Sequence, residues 1–196
     1  MALYGFSAGY PIDPERVGKS AHEETARHNR IDDIFSMPGV NAVSRRFRDV
    51  VESFEPGVHQ FFPLALFRKD DAPIEGQFFV FNCTVSVDTV LATRSDMRWT
   101  EWPNGMPALT RRMSDRIVHS SQAIAGRHVW CRRFIDCLTG AFVSDALHTE
   151  LKARKIKAFK SFQCEEVDEP WNADEQIGPQ LDWLAEHPER MGNYAR

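Results

Sequence analysis

Seven histidines and four cysteines are the side chains with most chemistry to offer in this 196-residue chain. A cysteine nucleophile needs a lowered thiol pKa and a base within hydrogen-bond reach. His119 and Cys131 are the pair that neighbouring strands could bring together, but the residues around them supply neither condition. His22, His28, His59, His119, His128, His148 and His187 are scattered, with no i, i+4 pair. No CxxC occurs, and no histidine stands at a zinc-finger distance from two cysteines. A metal centre is therefore not expected. GxSxG, HExxH, the P-loop and the Rossmann glycine fingerprint are all absent. The expectation is no catalytic residue, no cofactor and no metal, with Cys83, Cys131, Cys137 and Cys164 as thiols buried in a reducing cytosol.

The remaining candidates suit recognition rather than catalysis. Arg98-Trp99-Thr100-Glu101-Trp102-Pro103-Asn104-Gly105 puts two tryptophans in a polar, turn-rich setting. Interface centres are enriched in Trp and Arg, although the same rings could anchor a loop to the core. Trp171 stands among Asp168, Glu169 and Asp174 as a second aromatic cluster with acids. The candidate partner-binding residues are thus Arg98, Trp99, Glu101, Trp102, Asp168, Glu169, Trp171 and Asp174. Residues 165–196 hold nine acids against two bases, whereas residues 1–164 carry a net charge of +3. An acidic segment with an aromatic anchor fits a basic protein partner, since complementary charge speeds encounter. The run Lys152-Ala153-Arg154-Lys155-Ile156-Lys157-Ala158-Phe159-Lys160 could touch phosphates, yet it also places cations at a helix C-terminus, where the macrodipole favours them. With an overall charge of −4, nucleic-acid binding is not expected.

Hydrophobic periodicity indicates the elements that must position these residues. Phe47, Val50, Val51 and Phe54 form one apolar stripe behind Ser44, an N-cap residue, and Pro56-Gly57 stops that helix. The aromatic runs 58–67 and 76–85, separated by a polar turn, predict an antiparallel hairpin. Pro63 confines the first run to an edge, a bulge or a strand start. Residues 1–10 read as an edge strand, 11–30 as an irregular or weakly helical connector, and Met37-Pro38-Gly39 as a turn. Residues 86–110 read as a long loop with one strand near Trp99. Residues 116–119 and 128–135 read as strands, and a short helix is expected near 180–186. Val143-Ser144 repeats Val43-Ser44: Leu147 and Leu151 follow as Phe47 and Val51 did, and Phe162 ends a second aromatic strand as Phe62 marks the first. Shared local physics and a true duplication both account for that offset.

Length and composition, with 42% hydrophobic and 27% charged residues, exclude a disordered, collagenous or rod-like chain. The chain is long enough to bury about 70% of its unfolded surface without staples. No apolar run reaches the span of a bilayer, and the N-terminus lacks the layout of a signal peptide. The expected location is cytoplasmic, with no membrane partner. The fold class expected is α+β: a mixed, mainly antiparallel sheet, two main amphipathic helices and an acidic C-terminal tail. Residues 1–165 would form one domain and residues 166–196 an extension.

Two stretches carry a resemblance. One is Val43-Ser44-Arg45-Arg46-Phe47, its helix, and Gln60-Phe61-Phe62-Pro63-Leu64. The other is Gly126-Arg127-His128-Val129-Trp130, then Phe142-Val143-Ser144-Asp145-Ala146-Leu147, a helix, and Phe159 to Phe162. Together, over about residues 37–165, they resemble the immunity-protein-11 family of bacterial polymorphic toxin systems. Where that family has a glycine pair or small turn before its last aromatic strand, this chain has Lys155-Ile156-Lys157-Ala158. The resemblance implies a non-enzymatic protein that binds and neutralises one cognate toxin, with no catalytic residue to carry over. The toxin would be a protein, basic if the acidic segment meets it; a second copy of the chain is a further candidate partner. A small cytosolic enzyme with a Cys/His or carboxylate site, or a regulatory binding module, is the alternative.

Overall fold

The structure, a computed structural model, describes residues 9–23, 31–37, 40–110, 112, 115–132, 141–158 and 161–193. In chain order its elements are β1 (Ser20–His22), β2 (Ile34–Met37), β3 (Val40–Ser44), α1 (Arg45–Phe54), β4 (Gln60–Phe67), β5 (Phe78–Asn82), β6 (Arg98–Glu101) and β7 (Pro107–Thr110). There follow β8 (Val118–Ser120), α2 (Ser121–Ile124), β9 (Val129–Trp130), β10 (Phe142–Val143), α3 (Asp145–Ala153), β11 (Glu165–Val167) and α4 (Ala173–Glu186). The class is α+β with mixed, mainly antiparallel pairing. The chain divides into two compact units, neither of them a continuous piece of sequence.

The first unit comprises residues 1–85, 128–130 and 141–161. Its five-stranded sheet has the order β1-β4-β5-β3-β2. The β1–β4 pair is parallel, Ser20 opposite Ala65; the other pairs are antiparallel. Along β4, Phe62, Leu64 and Leu66 are buried and Pro63 and Ala65 exposed, the period-2 alternation of a sheet with one face on a core. They join Ala42, Val80 and Val17 in one cluster, and full burial of each large side chain contributes about 1.5–3 kcal/mol. Pro63 pairs with Phe79 on one side, and β1 covers only Ala65–Phe67 on the other. Its missing N–H thus falls where the strand is locally an edge.

The two Ser-capped helices form as their spacing predicts. Ser44 Oγ accepts the Phe47 amide (3.3 Å) and Ser144 Oγ that of Leu147 (3.2 Å). Phe47, Val50 and Val51 of α1 and Leu147 and Leu151 of α3 are buried, and the helices pack on each other. Each cap hydroxyl has a second task. Ser44 Oγ donates to Asp33 Oδ1 (2.7 Å), and Ser144 Oγ meets His128 Nδ1 (2.8 Å). Alanine at either serine is therefore expected to cost about 1–2 kcal/mol, the upper part of the range for a cap. Urea denaturation checks this; a loss below a few tenths of a kcal/mol would show that the caps are replaceable by water. Buried Asp33 also accepts Arg46 Nη1 (3.4 Å) and the Lys157 amide (3.0 Å), so one carboxylate ties together three distant stretches of chain.

The second unit comprises residues 86–127, 131–140 and 162–196. Here the structure departs most from the sequence reading. Residues 86–110 hold two strands rather than a loop with one: β6 and β7 form an antiparallel hairpin, Trp99 opposite Leu109. Asn104-Gly105 turns it, with Gly105 at φ +82° and the Met106 amide on Asn104 Oδ1 (3.2 Å), the left-handed geometry that favours glycine. β8 pairs with β11 in parallel, and the short helix α2, absent from the sequence reading, begins at the Ser120 cap. Of the expected strand at 128–135, the described residues show Val129–Trp130, which belongs to the first unit; residues 133–140, including Cys137, lie outside the described residues. Phe162 is not in a strand and is 53% exposed; Phe159 and Lys160 are outside the described residues, as are residues 1–8. The C-terminal helix starts seven residues earlier than expected, capped by Asn172, and bends at Ile177 (φ −135°) because Pro179 cannot donate to the helical ladder. Gln176, Ile177, Gln180 and Leu184 are buried, and the helix packs on β7.

Candidate partner-binding surface

All eight partner-binding candidates fall in the second unit, and three of them, Glu101, Trp102 and Trp171, line one of two depressions. The hairpin carries the first. Met106, Ala108 and Leu109 are buried along its inner strand, whereas every residue of β6 is exposed. Trp99 is 41% and Trp102 44% exposed. Glu101, Trp102, Thr100 and Pro103 line a depression of about 210 Å³ with Ala108, Leu109 and Thr110. Trp102 is fixed by its own turn, where its amide donates to Met106 O (2.9 Å) and its carbonyl accepts the Gly105 amide (2.8 Å). Arg98 and Trp99 lie on the same strand outside that depression.

The second depression is a cleft of about 460 Å³ lined by Ser86, Val87, Asp88, Gln122, Ala123, Pro170 and Trp171. Trp171 is half-buried there, its Nε1–H donating to Val90 O (3.0 Å). Asp168 stands beside the lining: Gln122 Nε2 donates to its Oδ1 (2.9 Å). Glu169 pairs with Arg94 (3.0 Å), and its carbonyl accepts the Ser120 hydroxyl. Asp174 sits in the first turn of α4, where its charge complements the helix dipole. Of the four C-terminal candidates, then, Trp171 lines the cleft, Asp168 flanks it, Glu169 pairs with Arg94, and Asp174 lies in the first turn of α4. Asp88, Ser86 and Gln122 went unseen in the sequence. The one signal for the first two is the alternation Val85-Ser86-Val87-Asp88, an extended segment inside what reads as loop.

Two buried histidines, His59 and His119, are held by hydrogen bonds. In the first unit, the buried His59 ring donates from Nε2 to Glu55 Oε2 (2.7 Å) and accepts the Thr84 amide at Nδ1 (3.3 Å). Both nitrogens are thus occupied, and the tautomer is set by the backbone. Glu55 also accepts the amides of His128 (2.8 Å) and Val129 (3.1 Å). In the second unit, His119 is 2% exposed and shares a 2.8 Å hydrogen bond with Thr89 Oγ1 through Nδ1. Burial pushes its pKa down to about 4. Among the described residues no cluster of three His, Cys, Asp or Glu side chains could hold a metal, and no helix is long and apolar enough to cross a membrane.

Fold and surface define an α+β protein of mixed sheets whose prominent exposed features are tryptophans beside acids. The chain belongs to the Imm11 immunity protein family, whose model matches residues 10–166. No curated protein matches the chain significantly. The family match covers the β6–β7 hairpin and stops short of Asp168, Glu169, Trp171 and Asp174.

Proposed function

We propose that this protein neutralises a cognate protein toxin by binding it in the bacterial cytoplasm, with no bond made or broken on its own surface. The observation that carries the reading is the exposure of Trp99 and Trp102 on a hydrogen-bonded hairpin. Two rigid indoles, already positioned and flanked by Arg98 and Glu101, bury large area at small entropic cost. The acidic segment 165–196 favours a basic toxin, whose approach it would steer.

Co-expression with the toxin encoded beside this gene is expected to restore growth. Trp99→Ala or Trp102→Ala is expected to weaken the complex by about 2 kcal/mol, roughly 30-fold, as for a central interface anchor. Thermal unfolding of each variant is measured alongside, because more than half of each tryptophan is covered and its truncation removes some buried apolar area. Continued killing in the presence of soluble wild-type protein would refute the proposal.

A further inference from the structure

We infer that the toxin adds an extended strand to the open edge of β6, bonding to the backbone groups of Trp99 and Glu101. The inference rests on the proposed neutralising role and says how the hairpin would grip its partner.

The ladder of the hairpin fixes which backbone groups are already bonded. Facing pairs along β6 and β7 run from Arg98 opposite Thr110 to Glu101 opposite Pro107. The next pair is Trp102 and Met106, where the Trp102 amide donates to Met106 O (2.9 Å). Bonded and non-bonded pairs alternate in an antiparallel ladder. Arg98 and Thr100 therefore also bond to β7, whereas Trp99 and Glu101 turn their N–H and C=O groups the other way. Pro107 agrees with that parity, since it has no N–H and stands opposite Glu101. Among the described residues no strand pairs with the outer side of β6, and all four of its residues are exposed. The strand holds no proline, lysine or bulge, devices that commonly keep an edge from pairing.

The charge beside the hairpin selects the incoming chain. α4 packs on β7 and carries Asp174, Glu175, Asp182 and Glu186, all exposed, with no lysine or arginine of its own. Among the described residues none of these four acids forms an ion pair. A strand from a basic protein would be drawn toward that helix. A second copy of this chain would bring an equally acidic helix and gain no such attraction. In this mode of recognition main-chain bonds supply affinity and the side chains next to them specificity. Trp99 on β6 and Trp102 at its end are exposed side chains next to this edge.

The experiment follows single backbone amides by hydrogen exchange in the isotope-labelled protein, alone and with the toxin encoded beside this gene. The Trp99 and Glu101 amides should exchange freely in the free protein and slow by roughly 100-fold or more in the complex. A complex in which both still exchange freely overturns the strand addition and leaves the neutralising role standing. Protection that appears without toxin and grows with protein concentration assigns the edge to a second copy and also overturns the inference. Binding is then compared for Glu101→Pro and Glu101→Ala. Both remove the carboxylate, but only proline removes the outward N–H, and no bond to β7 goes with it. Proline should weaken the complex roughly tenfold or more beyond the loss caused by alanine, and equal losses overturn the inference. The Thr100 and Trp102 amides, which bond within the hairpin, should stay protected in Glu101→Pro and report that the hairpin is intact. If they do not, exchange in the wild-type complex decides. Failure of the wild-type protein to bind the toxin removes the neutralising role itself, and the inference with it.

Discussion

Glu55→Ala is expected to lower the free energy of unfolding by about 3–5 kcal/mol, the range for leaving buried charged or polar partners unmatched. Glu55 is the residue that ends α1, a poor place for a negative charge because the helix dipole is negative there. That penalty is about 0.3–1 kcal/mol. Against it stand three donors on one carboxylate: His59 Nε2–H and the amides of His128 and Val129. Hydrogen bonds to a charged acceptor contribute about 1.5–3 kcal/mol each, so the bonds win. Alanine leaves the fully buried His59 ring and the Val129 amide without an acceptor. Glu55→Gln keeps the shape and one acceptor oxygen but sets its NH2 against either the His128 amide or the His59 ring N–H and the Val129 amide, so its loss should fall between wild type and alanine. Urea unfolding at neutral pH decides this; a loss below about 1 kcal/mol for alanine would mean that water takes over the carboxylate's role.

Acidification should destabilise the second unit through His119. Its folded-state pKa of about 4 lies below the ordinary 6.5, so between those values the unfolded chain binds a proton that the folded chain excludes. The stabilisation is fully present above pH 6.5 and is lost as pH falls toward 4. Over that window the group's contribution is about 3 kcal/mol, from roughly 1.4 kcal/mol per unit. The cause is desolvation, since the ring is 2% exposed beside Thr89. Urea titrations followed by tryptophan fluorescence from pH 7.5 to 4.5 should show wild type losing more stability than His119→Gln. Parallel losses in the two proteins would remove His119 as the cause.

The parts of the fold that were legible in the sequence are those whose signals are local. Ser44 and the Phe47-Val50-Val51 stripe specify α1 without help from elsewhere, and the aromatic runs of β4 and β5 specify a hairpin. The strands β2 and β3 are short and become strands by pairing, β3 with Phe78–Phe81 of β5. The β6–β7 hairpin carried its mark, Asn104-Gly105, but Pro103 and Pro107 on either side disguised it. Pro179 hid the first half of α4, since a helix-breaking residue is tolerated there by the bend at Ile177. Phe162 shows the opposite error: an aromatic residue at a repeating offset suggested a buried strand, but nothing covers more than about half of the ring. Of the binding candidates, the exposed tryptophans could be named from composition alone. The cleft could not, because Asp88, Gln122 and Trp171 come from three separate stretches and line one depression only once the chain has folded.

The interleaving of the two units constrains how the molecule can come into being. During synthesis from the N-terminus, the first unit stays incomplete until residues 141–161 have left the ribosome, and the second until α4 has followed. No single cut in the chain separates one unit from the other. A nascent chain that has passed residue 161 therefore carries a complete first unit and an incomplete second, which closes only when α4 has been made.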